Sequence, residues 1–223
     1  QAKNRKIKAL VTAGPTKEYI DPIRYITNRS SGKQGYEIAK SLSKRGIETT
    51  LISGPTNLNI NDNINLIKVE TAEEMFKATQ KSLPTDVAIF SAAVADFKIN
   101  KQSLSKIKKQ QNLTISLEKN IDILNYVSNH NSMRPKLVIG FSAETNDLNK
   151  NAKTKLLNKN CDWIIANDVS KKDIGFNSEY NKVSIIDNKG NIRTLKKNKK
   201  SFIANKIAEV ILGKLLVDDR NFN

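Results

Sequence analysis

The sequence has one cysteine, one histidine and one tryptophan in 223 residues, and it is short of acids relative to bases. The lone Cys161 has no partner for an intramolecular disulfide and suits a reducing compartment, so a cytoplasmic location is expected. The lone His130 sits in a polar stretch (NHN, 129–131), which leaves a His-based triad or a zinc cluster without its usual groups. No apolar run approaches bilayer length, the longest being residues 87–95, so no membrane association is expected. Residues 1–8 are basic but lack the apolar stretch of a signal peptide. A chain that starts with Gln rather than Met is expected to have been cut from something longer.

What the sequence has in abundance is lysine. Thirty-eight Lys and Arg against 22 Asp and Glu give a formal charge of +16 and a pI near 9.8. Such a surface attracts polyanions, whether nucleic acid or small phosphorylated substrates. A Lys- and Asn-rich composition inherited from nucleotide bias accounts for the same number, and charge alone names no partner. Apolar residues at 38% and charged residues at 27% describe an ordinary globular chain.

Residues 7–13 (IKALVTA) read as a buried strand running into Gly14-Pro15, and 35–45 (GYEIAKSLSKR) as a helix closed by Gly46. Residues 49–53 (TTLIS) then form a second strand, which completes a βαβ unit with parallel strands. The rhythm continues with a strand at 66–69 and a helix to residue 82, opened by the capping pair Thr71 and Glu74. Strands follow at 86–92, 137–141 and 163–166, with a basic helix over 148–158 before the last. Residues 182–187 and 192–195, flanking the NKGN turn, predict an antiparallel hairpin, and 201–216 a closing amphipathic helix with a frayed tail at 217–223. The fold class predicted is α/β: a Rossmann-like, doubly wound, mostly parallel sheet with a C-terminal antiparallel hairpin appendage, in one domain over 1–223.

Ligands of such sheets bind beyond the carboxyl ends of the strands, which selects four segments. After the first strand, Ser30, Ser31, Gly32 and Gly35 precede a helix and offer amides to an anion, or simply cap that helix. The loop is neither GxGxxG nor GxxxxGK[ST], which disfavours a nicotinamide-dependent reductase or a Walker-type site. After the central strand, AAVADF (92–97) sets small residues beside Asp96, an acid suited to ribose hydroxyls or a metal. KIKK (106–109) follows on a polar loop, either a solvated run or a flap for a triphosphate. Asp122 in NIDIL (120–124) is placed to start a helix. Lys155 and Lys159 are four apart and share a helix face, where they repel unless an anion lies between them. Cys161, before a buried strand, reads as a core residue. Chemistry is therefore expected from Lys, Asn, Asp and backbone amides, by positioning and charge stabilisation. A nucleic-acid-binding α/β domain remains a rival reading of the charge, although aromatics make up only 6% and no recognition helix or stacking motif is present.

In order along the chain, TAGPT (12–16), DPIRYITNRSSGK (21–33), AAVADF, KIKK, GFSAETN (140–146), ANDV (166–169) and GFN (175–177) resemble the bacterial phosphopantothenoylcysteine synthetase family of coenzyme A biosynthesis. The resemblance implies a CTP-dependent ligation of 4'-phosphopantothenate to L-cysteine through an acyl-cytidylate, with Mg2+ accompanying CTP. It implies that Asn28 bonds the reacting acyl group and that Lys106 neutralises the triphosphate from the flap. Ala92, Asp96, Ile121, Asp122, Ile123, Leu124, Phe141, Lys155 and Lys159 would line the CTP site, and Ser30, Ser31, Gly32 and Gly35 would hold an anionic group. It assigns no protein ligand to the metal. It further implies a homodimer, expected through the late hairpin, and a domain that in many bacteria follows a flavin-dependent decarboxylase, so no flavin is expected here. The chain departs from the bacterial pattern at Ile121, where proline is common, and at Ser142, where relatives carry smaller residues.

Overall fold

The computed structural model describes residues 5–60, 63–171, 174 and 177–220; Gly175 and Phe176 of the GFN motif and the end of the expected tail, 221–223, lie outside them. Eight strands form one sheet: β1 (Lys8–Ala13), β4 (Glu48–Ser53), β5 (Asn65–Lys68), β6 (Val87–Phe90), β9 (Leu137–Glu144), β10 (Trp163–Asp168), β11 (Tyr180–Asp187) and β12 (Ile192–Lys199). Their order is β12-β11-β10-β9-β6-β1-β4-β5, parallel from β10 to β5. Only β11 runs the other way, antiparallel to both β10 and β12.

Both faces are covered, and strand alternation shows it. Ala9, Val11 and Ala13 of β1 point to one side with Val87, Ile89, Leu137, Ile139, Trp163 and Ile165, against α1 (Lys33–Lys44) and α5 (Lys200–Arg220). Leu10, Ala88, Phe90, Val138, Ile164 and Ala166 point to the other, against α2 (Ala72–Lys81), α3 (Ile123–Ser128) and α4 (Leu148–Asn158). A strand buried on both sides reads as a continuous apolar run, as these strands do.

Helix ends follow local chemistry. Thr71 Oγ1 accepts the Glu74 N–H at 3.2 Å, while the Glu74 carboxylate reaches one residue further back than in an ideal capping box, to the Glu70 N–H at 3.1 Å. Glu18, nearly buried, adds its carboxylate to the same helix start through the Ala72 N–H at 3.1 Å.

Two short strand pairs add to the expected elements. The segment after β1, read as an irregular loop, carries a small antiparallel pair, β2 (Lys17–Tyr19) with β3 (Tyr25–Thr27). A second pair, β7 (Phe97–Ile99) with β8 (Leu117–Lys119), brackets the lysine-bearing excursion. Strands of three residues that pair only with each other leave too short a pattern to detect. The late antiparallel hairpin is present as expected, and β11 pairs with β10 over residues 163–167, so the hairpin extends one edge of the main sheet. The backbone of α5 is helical to Arg220.

Candidate functional site

Where strand order reverses, the loops leaving the two central strands part to opposite faces and open a crevice. Here the reversal lies between β1 and β6, so the crevice belongs to residues 14–32 and 91–96. The two loops are stitched together. Ala93 donates to the Gly14 carbonyl at 2.9 Å, Ala95 donates to Thr16 Oγ1 at 3.1 Å, and Asn28 Nδ2 donates to the Val94 carbonyl at 3.1 Å.

Two cavities of about 540 and 680 Å³ meet in this crevice, and both are lined by Ala92, Val94, Asp96, Phe141 and Lys155. Asn28, Ser30, Ser31, Gly32 and Gly35 border the first; Ile121, Asp122, Ile123, Leu124 and Lys159 border the second. Every predicted site residue is thus brought to one cleft except Lys106. That lysine is exposed on the excursion between β7 and β8 and borders neither cavity.

The first cavity is built around the start of α1. Gly32, at φ 75°, takes the left-handed turn that a side chain would oppose. Ser30 Oγ and Ser31 Oγ accept the N–H groups of Gly32 and Lys33 at 3.2 and 3.3 Å. The first helical bond runs from Tyr36 N–H to the Gly32 carbonyl, so the amides of Gln34 and Gly35, both on the cavity wall, are those a helix start leaves for an outside acceptor. Gly35 has no room for more: a Cβ there would lie 2.4 Å from Ser91 Oγ and 2.5 Å from Ala13 Cβ.

The cations are placed differently from a bare repelling pair. Lys155 is half-buried and its ammonium donates to the Phe141 carbonyl. Burial lowers its pKa, and the charge of Lys159 adds to the effect. Lys159 itself, at the end of α4, pairs with Asp122, whose Oδ1 caps α3 through the Asn125 N–H at 3.0 Å. Cys161 lies buried beneath, and desolvation pushes its thiol up to about 12, which removes it as a nucleophile.

Of the first cavity's residues that sequence reasoning gave no role, two stand out. Asn167, quoted within ANDV but given no role, presents a buried Oδ1 with no hydrogen-bond partner. Such an acceptor is costly unless a ligand donor meets it. Its signal is a polar residue at the carboxyl end of an apolar strand. Lys200, the first residue of α5, is 3% exposed, and burial lowers its ammonium to about 8, with Lys33 adding and Glu179 opposing. It is hidden in KKNKK (196–200), which reads as a solvated charge run, and only the packing of α5 beside α1 brings it to the cavity.

Among the described residues, no three His, Cys, Asp or Glu side chains cluster as a metal site, and no helix is long and apolar enough to cross a membrane.

Fold and site together define a doubly wound α/β protein with a crevice at its strand reversal that opens onto a helix start. Over residues 4–215 the sequence matches the family described as DNA/pantothenate metabolism flavoprotein C-terminal domain, and the chain belongs to that family. The curated protein named Coenzyme A biosynthesis bifunctional protein CoaBC is 42% identical in Haemophilus influenzae over 203 residues, which are 90% of this chain and 50% of that protein. Its counterpart in Borreliella burgdorferi is 44% identical over 213 residues, 94% of this chain and 53% of that protein. The chain spans about half the length of the curated relatives it matches. The crystal structure of the C-terminal domain of Coenzyme A biosynthesis bifunctional protein CoaBC has a TM-score of 0.79 at 35% identity and covers 96% of each chain. The motif resemblance therefore holds at the level of family and fold.

Proposed function

We propose that the chain is a cytoplasmic phosphopantothenate–cysteine ligase that uses CTP. The observation that carries the reading is the cleft itself: an anion-receiving helix start, the desolvated Lys155 and the unmatched Asn167 acceptor converge where this family's motifs lie. In the first step a carboxylate oxygen of 4'-phosphopantothenate attacks the α-phosphorus of CTP, and the α–β bond breaks to release pyrophosphate. In the second, the amine of L-cysteine attacks the acyl carbon of the acyl-cytidylate. The amide forms, a proton is lost, and CMP leaves with the bonding pair.

The protein's part is placement and charge. The Gln34 and Gly35 amides receive phosphate oxygens, aided by the positive end of α1. Lys155 and Lys159 frame the nucleotide between the two cavities. Asn28, tethered by Nδ2 to the loop it faces, is left to orient the acyl group with its Oδ1, and Lys106 meets the triphosphate from the excursion. The residues fit magnesium carried in by the triphosphate rather than a preformed cage: Asp96 is the exposed carboxylate common to both cavities, and Mg2+ characteristically combines one or two carboxylates with phosphates and water. Bound there, the ion would neutralise charge on the leaving pyrophosphate.

A homodimer belongs to the same reading. Exposed apolar side chains gather on the small hairpins (Ile23, Tyr25, Phe97 and Leu117), and we place the contact there rather than on the late hairpin. Sedimentation showing a monomer at micromolar concentration would count against it.

The reaction is tested by pyrophosphate release from CTP with magnesium, 4'-phosphopantothenate and cysteine, with ATP and single omissions as controls. Release that needs phosphopantothenate, with the coupled product seen by mass, is expected; its absence from folded protein sinks the reading. Asn28→Asp is expected to accumulate the acyl-cytidylate.

A further inference from the structure

The excursion between β7 and β8, residues 100–116, has neither helix nor strand, and Lys106, Lys108 and Lys109 stand exposed on it. Ile107, between them, is half-buried and borders an apolar groove of about 380 Å³ with Ile20, Ile99, Leu113 and Ile115. Its peptide groups are held on both sides. Asp21 Oδ2 accepts the Ile107 N–H at 3.1 Å, and Arg24 Nη2 donates to the Ile107 carbonyl at 3.0 Å.

The two gripping side chains are joined to each other. Arg24 Nε and Nη2 donate to Asp21 Oδ2 at 3.1 and 2.6 Å, and the guanidinium holds the carboxyl well below the usual carboxylate range. The other oxygen, Oδ1, accepts the N–H groups of Ile23 and Arg24 at 2.9 and 2.8 Å, which shapes the turn between β2 and β3. A further bond, Ser103 N–H to the Ile20 carbonyl at 3.0 Å, ties the excursion to the same turn.

Asp21 is wholly buried, and a buried carboxylate is tolerated only when its oxygens are satisfied. The turn needs Oδ1 alone. The second oxygen takes both the Arg24 fork and the Ile107 N–H, and Arg24 Nη2 also reaches the Ile107 carbonyl, 86 positions after Asp21. Burying a carboxylate, with its arginine partner reaching in from the surface, to hold one irregular segment in register makes sense where that register matters for what the segment carries.

We propose that Asp21, acting with Arg24, is a positioning residue: by clasping both polar groups of the Ile107 peptide, it sets where the neighbouring Lys106 meets a phosphate-bearing ligand. The inference rests on the ligase reading, which makes that ligand a nucleoside triphosphate. Asp21 acts through Ile107 and touches no reacting atom.

The experiment pairs a structural readout with a kinetic one on the full chain. Amide hydrogen exchange in the unaltered protein is expected to show Ile107 protected at least about tenfold over Lys108, with the protection lost in Asp21→Asn, which keeps the size but replaces the accepting oxygen. The same variant is expected to raise the KM for CTP about tenfold. Placed on Lys106→Gln, Asp21→Asn is expected to cause no further loss in kcat/KM, since its effect runs through that lysine. Arg24→Lys, which keeps the charge but loses the fork, carries the test if Asp21→Asn does not fold. An Ile107 amide that exchanges as freely as Lys108, or losses that multiply in the double variant, overturns the proposal. So does a loss of thermal stability with KM unchanged, and that result leaves the ligase reading standing. If the unaltered protein releases no pyrophosphate from any nucleotide, the ligase reading falls and the positioning role with it, whatever the exchange data show of the clasp.

Discussion

Replacing Gly35 with alanine adds one methyl group where α1 meets the ends of β1 and β6. That carbon would lie 2.4 Å from Ser91 Oγ and 2.5 Å from Ala13 Cβ, whereas ordinary contact begins at 3.4 Å. Relief requires a shift of about 1 Å. Ser91 cannot simply swing away, because its hydroxyl donates to the Thr12 carbonyl at 2.5 Å, and Ala13 Cβ is fixed to the central strand. The helix start must therefore rise off the sheet. Overpacking of this kind costs about 1–3 kcal/mol, of which the better helix propensity of alanine returns about 0.5–1 kcal/mol. The net loss of about 1–2 kcal/mol corresponds to a fall in Tm of about 2–8 °C for a chain of this size. Displacing the Gln34 and Gly35 amides by the same distance is expected to lower turnover by up to about a hundredfold. Gly213 supplies the control: it lies in α5, exposed, with nothing within 4 Å of an added methyl, so Gly213→Ala should gain about 0.5–1 kcal/mol and leave turnover alone. Calorimetry and pyrophosphate release on both variants decide the matter. A Gly35→Ala protein as stable and as active as the parent would refute the close packing inferred at the helix start.

Lys155→Met should raise the KM for CTP about ten- to a hundredfold with Tm nearly unchanged, the cost of one charged hydrogen bond, as read by steady-state kinetics. Lys200 loses its proton near pH 8 when folded and near its ordinary 10.5 when unfolded, so between those values the unfolded chain binds more protons and this site's contribution to stability rises with pH. Denaturation of the parent and Lys200→Met at pH 7 and pH 10 should therefore differ by a shift of about 2–3 kcal/mol in the parent's favour; parallel profiles would count against it. Cys161, with its thiol near 12 and buried, should alkylate at pH 8 at least about a hundredfold more slowly than in urea-unfolded protein, as followed by intact mass.

How much of this was legible depended on scale. β1, β4, β6, β9 and β10 are runs rich in apolar and small residues, and α2 announces itself with Thr71 and Glu74, so the parallel sheet could be written from local pattern alone. The carboxyl ends of the expected strands marked the segments that hold Ser30 to Gly35, Ala92, Asp96 and Phe141. The three-residue strands of the small hairpins carry no period to detect. The pairings that matter most join residues far apart along the chain. Nothing near Asp21 in sequence points to Ile107, and nothing near Lys200 points to Lys33 or Glu179. Helical spacing sets Lys155 and Lys159 near each other, but Asp122 as the partner of Lys159 becomes visible only once α3 and α4 are packed on one face.

The late hairpin has a consequence for how far the sheet extends. β12, its outermost strand, carries Arg193, Lys196, Lys197 and Lys199, and at the far side β5 has four residues and ends in Lys68. A row of unpaired peptide groups invites another chain to add itself, and like charges along that row make the approach of an identical strand unfavourable. The sheet is thereby terminated on both flanks by its own composition. Four of the 38 basic residues thus lie along β12, where like charge disfavours edge-to-edge pairing of two copies.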